Sequence, residues 1–389
     1  MLNSMKYWDS EIIEKDFNFN KNKELLIQNL NELHNMSVEE STLYKKWGEF
    51  NDDLHTSMMR LPILHSYVDT LWKPTDIMDK DLTIAELNSL QPYIEITDDA
   101  SKWTDIRMLI SSMEFTANPG RNIKAFVKDR VSGKLLGVIA LASDISSLGV
   151  RDKFIGWSRD NKFKDGKLNN TCIGTAIIPT QPLGFNFLGG KLIAALTTSP
   201  VFRKEWFERY NDTLVAVETT ALYGGSSQYN SIPHFKGLGH SSGLVKIKPD
   251  DWIYNIWKDY IKEKYPEKYK EAQLKTGPKQ NVINLIFKEL GIKGTEYFHG
   301  YKRGVYFASI YENGNDYLCG KIEVKDLKMK DKFMEGDDYT IRWWKDKAIK
   351  RYTTLHTEGR LKDETLFYSN IIGMTWNDCK EKYLKDVGR

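Results

Sequence analysis

Cysteine is scarce: Cys172, Cys319 and Cys379 are the only three in 389 residues, far apart and odd in number. That excludes a disulfide framework and fits a reducing, cytoplasmic setting. No Cys-x-x-Cys spacing occurs, and none of the seven histidines has a second one four residues on. No metal site is therefore expected. No run of about 18 apolar residues is present, so no membrane span is expected. The first residues lack the charged-then-apolar pattern of a secretory signal. Net charge is only +3, so no global field argues for a polyanionic partner, and any such case rests on a local patch. Internal repeats and low-complexity tracts are absent as well.

What is there is an ordinary globular composition, 41% apolar and 28% charged, long enough for two or three domains. The 11 Trp and 20 Tyr supply core or stacking surface, and composition does not separate the two. Residues 1–95 show helical spacing in LLIQNLNELHNM and around Leu61, Leu64, Val68 and Leu71, with breaks at Pro74 and Pro92. They are expected to form a helical extension that packs on the core or a protein partner. Residues 96–320 read as the core. SKWTDIRMLISSMEF suits a helix, and AFVKD and LLGVIAL suit a hairpin turning at Val131–Lys134. TCIGTAIIP reads as a strand, QPLGFNFLGGK as a turn, Leu188 to Glu208 as one helical pattern, and TLVAVETT as a strand ending near Glu218. The polar, glycine-rich YGGSSQYNSIPHFKGLGHSSG follows; residues 250–290 look helical, and RGVYFASIY returns to strand. Residues 321–389 form a basic, aromatic and helical tail. The fold class expected is α/β (α+β), a mixed central sheet with flanking helices and helical extensions at both ends. Ligands in such sheets bind beyond the carboxyl ends of strands, here the loops after Pro179 and Thr220.

Candidate chemistry follows from these positions. Glu218, a carboxylate at the end of an apolar strand, can be a general base of raised pKa, or it can cap the next turn. Tyr229 can protonate a leaving group or pack under its loop. His234 and His240 can titrate near neutrality or serve as plain loop residues. Gln181, Gly184, Asn186, Gly189 and Gly190 form a weak phosphate cradle, or a turn whose glycines only permit tight geometry. In the tail, Arg342, Trp343, Lys345, Lys347, Lys350 and Arg351 interleave cations with aromatics, as in nucleic-acid binding. The alternative is a solvated basic face with its tryptophans turned inward.

The order of helix, hairpin, strand, helix, strand and further strand matches the acyltransferase fold called GNAT. More specifically, the chain resembles the DruA family of the Druantia anti-phage system and of mobile elements. The resemblance rests on GKLLGVIAL, IGWSRD, KLNN, IIP, VETT, FKGLG and YKRGVYFASIYENGNDYLCG, in that order. The loop SSQYNSIPHFKGLGHSSG is also similar to the closing part of phage Mom, a GNAT-like enzyme that modifies adenine in DNA. The resemblance implies an enzyme, a transferase that places an acyl or related small group on a nucleobase. DNA would be its partner and acetyl-CoA or another acyl or aminoacyl donor its co-substrate. It marks Trp157, Asn169 and Asn170 as neighbours of the site, and it puts the protein in a host cytoplasm if a phage encodes it. The other reading is a DNA-binding anti-phage or mobile-element protein without acyl transfer, possibly nicking DNA, although no acidic cluster has clear metal spacing.

Overall fold

The computed structural model describes residues 17–115, 120–222, 224–225, 227–242, 245–275, 277–299, 302–363 and 368–387. The reading of the first sixteen residues as free of a secretory signal lies outside that set. The strands are β1 (Pro92–Thr97), β2 (Asn122–Asp129), β3 (Leu135–Ser143), β4 (Thr171–Pro179), β5 (Ala216–Ala221), β6 (Phe235–His240), β7 (Val245–Lys246), β8 (Phe298–His299) and β9 (Gly304–Ser309). The helices of the first half are α1 (Phe19–Asn35), α2 (Val38–Asn51), α3 (Leu54–Ser66), α4 (Lys80–Ser89), α5 (Ala100–Ile110) and α6 (Gly149–Ile155). Then come α7 (Leu183–Asn186), α8 (Gly189–Ala195), α9 (Pro200–Tyr210), α10 (Asp251–Lys264), α11 (Pro266–Leu274), α12 (Pro278–Leu290), α13 (Gly314–Leu318), α14 (Asp338–Thr357) and α15 (Trp376–Val387). The chain is thus a mixed α/β protein, and it divides into two units assembled from separated segments.

The larger unit, Gly48–Ser242 with Lys302–Ile372, holds a seven-stranded sheet in the order β1-β2-β3-β4-β5-β9-β6. Every neighbouring pair is antiparallel except β4 and β5, which run parallel. The β2–β3 turn is closed by Asp129, whose carboxylate accepts from the backbone N–H of Gln91 at 2.7 Å and Ser132 at 2.8 Å. Helices cover both faces, so β3 reads as an almost unbroken apolar run rather than an alternating one. On one face α5 packs Trp103, Ile106 and Leu109 against Phe126, Val138 and Ala140. On the other, α8, α9 and α14 set Leu192, Trp206, Trp344 and Tyr352 against Ala125, Ile139 and Val217. Gly137 allows this closeness: a Cβ there would lie 2.5 Å from the Ile178 carbonyl and 2.7 Å from Ile193 Cδ1.

The smaller unit gathers Met1–Trp47, Gly243–Tyr301 and Gly373–Arg389. Its core sets Leu26, Leu30 and Leu33 of α1 against Ile253, Trp257 and Ile261 of α10 and Val282 and Ile286 of α12. These recur at helical spacing, so each helix buries one face. Asp250 fastens α1 to α10, accepting from Asn29 Nδ2 at 2.9 Å and Tyr44 Oη at 2.8 Å.

Four sequence expectations are corrected. The single helix expected from Leu188 to Glu208 is two, because Ser199 caps a new helix that starts on Pro200. The helix beginning at Ser101 stops at Ile110, short of Phe115. The strand placed at Thr213–Thr220 is Ala216–Ala221, which puts Glu218 in mid-strand rather than at its end. The helical spacing before residue 95 gave no sign of β1, which pairs with Lys124 to Asp129 of β2.

Replacing Gly137 with valine should cost about 1–3 kcal/mol through overpacking against backbone that cannot retreat. Urea denaturation of the folded protein measures it, and an unchanged midpoint would contradict the packing described.

Candidate active site at the parting of two strands

Strands β4 and β5 pair over three residues only, Thr171 with Ala216, Cys172 with Val217 and Ile173 with Glu218. Beyond that last pair they part. Side chains alternate between faces along a strand, so Glu218 points to the side opposite Val217 and Thr219. There it meets Arg151 of α6, whose Nη1 donates to Glu218 Oε1 at 3.1 Å and to Asp144 Oδ1 at 2.6 Å. Asp144 directly follows β3, and its other oxygen accepts from the Thr171 hydroxyl. The remaining N–H groups of Arg151 go to the Ile145 carbonyl at 2.8 Å and to Asp152 Oδ1 at 2.7 and 2.9 Å. Lys162 binds the second oxygen of Asp152 at 2.5 Å. The Trp157 ring lies 5.0 Å from the guanidinium carbon, held by its indole N–H on the Leu318 carbonyl. The Arg151, Asp144 and Glu218 side chains are all 0% exposed.

Charge arithmetic favours one proton on this cluster. Asp144, Glu218 and Asp152 face Arg151 and Lys162, three potential anions against two cations. One proton balances it, and Glu218 takes it. Burial comes first, then the negative charge of Asp144; they push Glu218 up to about 11 against the opposing pull of Arg151. Burial alone would lower the Arg151 pKa, but Asp144 and Glu218 reverse this and hold it raised. Glu218 Oε2 lacks a hydrogen-bond partner although it is buried, an uncommon state for a polar atom in a folded protein. A neutral carboxyl at the fork, beside a second carboxyl, can give a proton to a leaving atom and take one back.

The other candidates do not gather here. Tyr229 lies on the Thr219 side of the sheet, its ring 5.1 Å from Tyr306 and 6.2 Å from Phe235, and burial pushes its hydroxyl up to about 12. His234 is buried beneath the end of α8, with Nε2 3.3 Å from the Ala195 carbonyl and 3.2 Å from Thr198 Oγ1. Burial lowers its pKa to about 3, so it stays neutral. His240 is exposed on edge strand β6, opposite Gly304. Trp157 is beside the cluster, whereas Asn170 ties to the Thr213 carbonyl at 2.9 Å and the Asn169 carbonyl accepts from Trp206. Asp144, Arg151, Asp152, Lys162 and Thr171 are not singled out by the sequence patterns. The usable sign was an aspartate closing an apolar strand, with an arginine seven residues later.

The glycine turn after β4 is occupied by its own packing. Gln181 Oε1 accepts from the Phe185 N–H at 3.0 Å, and Asn186 clamps the backbone of Lys362 at 2.6 and 3.0 Å. A Cβ on Gly189 would lie 2.7 Å from Leu183 Cγ, and one on Gly190 would lie 3.2 Å from Gln228 Cγ. These residues do not fit a cradle for the phosphates of coenzyme A. In the tail, Arg342 pairs with Glu335, Lys345 binds the Asn88 carbonyl at 2.6 Å, and Trp343 is half-buried against the core. Lys347 and Lys350 are exposed, and Arg351 lies 5.3 Å over the Phe185 ring. Among the described residues no group of three or more metal-binding side chains converges, and no helix is long and apolar enough to cross a membrane.

Replacing Arg151 with methionine should destabilise the larger unit by about 3–5 kcal/mol, because Asp144 is left buried without its partner. Glu218→Gln behaves differently. A carboxyl whose folded pKa is raised contributes most below its unfolded pKa and loses stability as pH rises toward about 11. Glutamine cannot ionise, so its stability relative to wild type should climb as pH rises through that window. Denaturation midpoints at three pH values read this, and parallel pH profiles would place the proton elsewhere.

The family model described as Druantia protein DruA matches residues 64–320, a span that contains the whole ionic cluster. The Druantia protein DruA of Escherichia coli (strain UMEA 4076-1) is 27% identical over 226 residues, covering 53% of this chain and 55% of that protein. The chain therefore spans about half the length of this relative. No solved structure matches. With a match across well over half its length, the chain belongs to the DruA family.

Proposed function

We propose that this chain is a group transferase on a GNAT-like frame, placing an acyl or related small group on a base of DNA in a phage-defence setting. The observation that carries this reading is the fork: the only parallel pair of the sheet parts directly after Glu218, beside a buried pair of carboxyls. The strand order, with its single parallel pair followed by β9 and then β6, supports the frame. The name of the Druantia relative supports the setting; DNA as the target rests on the sequence resemblance of the loop SSQYNSIPHFKGLGHSSG to Mom.

The chemistry follows from the proton held at the fork. An exocyclic amine attacks the carbonyl of the donated group; a C–N bond forms and the bond to the leaving atom breaks. The carboxyl pair gives its proton to the leaving atom and takes one from the amine, so its proton count is unchanged over the cycle. Arg151 fixes both carboxyls, and Trp157 over the guanidinium helps exclude water. The donor is specified only as a small group on a leaving atom, since the turn after β4 does not fit coenzyme A. Reaching a base in a duplex requires flipping it out.

A second reading, DNA binding without transfer, is favoured by one feature. The edge of β4 beyond the fork is already covered, with Gln228 Nε2 donating to the Ile177 carbonyl at 2.8 Å and Thr219 Oγ1 to the Gly174 carbonyl at 3.1 Å. The two readings separate in the nucleosides of DNA from cells expressing the protein. Transfer predicts a new nucleoside mass in wild type that is lost in Glu218→Gln. Unaltered nucleosides alongside intact DNA binding would move the assignment to the second reading.

A further inference from the structure

Two cations lie against the Phe185 ring, and two more neighbour them on α8 and α14 of the larger unit. Arg351 of α14 lies 5.3 Å from the Phe185 centroid, and Lys362, just beyond that helix, lies 4.7 Å from it. Lys347 is one helical turn before Arg351 on the same face. It acts electrostatically on Lys191 of α8, against which α14 packs. The neighbouring ion pairs join Arg342 to Glu335 and Arg360 to Glu358; among the described residues none joins the four cations to a carboxylate. Arg351 Nε is also shielded from water without a partner. Like charges gathered without counter-charges repel one another, and a polyanion removes that penalty.

We propose that Arg351 and Lys362 at Phe185, with Lys347 and Lys191 beside them, form a docking surface for the phosphate backbone of duplex DNA. The proposal rests on the function above only in taking DNA as the target. The cations come from α8, α14 and the segment after it. The nearby cleft of about 390 Å³, at Leu71, Trp72, Lys134 and Gln181, includes none of them. An open array of this kind suits an extended backbone with repeated charges rather than a compact nucleotide. The Phe185 ring already carries cations over it, so base stacking is not part of the contact, and recognition is independent of sequence. Position links the surface to the fork. Lys191 Nζ holds the carbonyls of Ser227, at 2.5 Å, and of Asn230, in the loop whose Gln228 covers the free edge of β4.

The test is fluorescence anisotropy of a labelled duplex at several salt concentrations, with the full chain. Wild type should bind with an affinity that falls steeply with salt. K347A/R351A should lower the slope of log K against log salt by about 2, equally for unrelated sequences. K347E/K362E, changing two exposed lysines only, guards against a folding defect and should weaken binding further. K321A/K325A, of the same charge change, should leave the slope as in wild type. An unchanged slope in both cluster variants overturns the proposal. So does inorganic pyrophosphate binding that depends on these residues while the duplex does not bind. DNA binding that depends on the cluster without any altered nucleoside keeps this surface and removes the transferase reading. Altered nucleosides with slopes unchanged do the reverse.

Discussion

A guanidinium taken out of water is stabilised by an acceptor on each of its five N–H groups, and Arg151 finds all five. Its five contacts reach the end of β3 through Asp144 and Ile145, the middle of β5 through Glu218, and its own helix through Asp152. Thr171 at the start of β4 joins through Asp144. The start of the parallel pair is thereby fastened from one face by a single side chain. A buried ion cluster is a poor source of stability compared with apolar packing of the same volume. Its presence inside a sheet otherwise filled with Val, Ile and Ala sets a geometry that apolar residues cannot set: two carboxyls held on one guanidinium nitrogen.

What the sequence made readable follows the strength of local pattern. TCIGTAIIP corresponds to β4 residue for residue, because an apolar β-rich run bounded by an Asn pair and a proline leaves little choice. Glu218 stood out as a charge inside such a run. Its partners did not, since Asp144 and Arg151 come from other elements and only the fold brings them to it. Tyr229 and His234 sit in an irregular loop, where no alternation tells which face a side chain joins. The loop returns them to the far side of the sheet, where they pack as core. The tail shows the opposite: Trp344, Ala348, Tyr352 and Leu355 are buried at helical spacing, so the period itself separates these from the exposed Lys347 and Lys350. Assembly of the smaller unit from three separated segments has no local signature at all.

The fork and the basic surface are joined by one loop. Lys191 grips its carbonyls from the side of the cations, and Gln228 reaches from it to the free edge of β4. A polyanion that draws Lys191 toward itself competes with the grip on that loop. Under the proposed docking, DNA binding and uncovering of the strand edge would be linked equilibria, each favouring the other.

The central claim is that Glu218 holds a proton at neutral pH. Infrared spectroscopy reads it directly, as the carbonyl stretch of a protonated carboxyl, in the difference spectrum between wild type and Glu218→Gln. The account predicts that band in wild type at pH 7, lost in the variant and shifted by deuterium exchange. A spectrum in which the substitution removes only carboxylate bands would show Glu218 ionised against Arg151, and would contradict it.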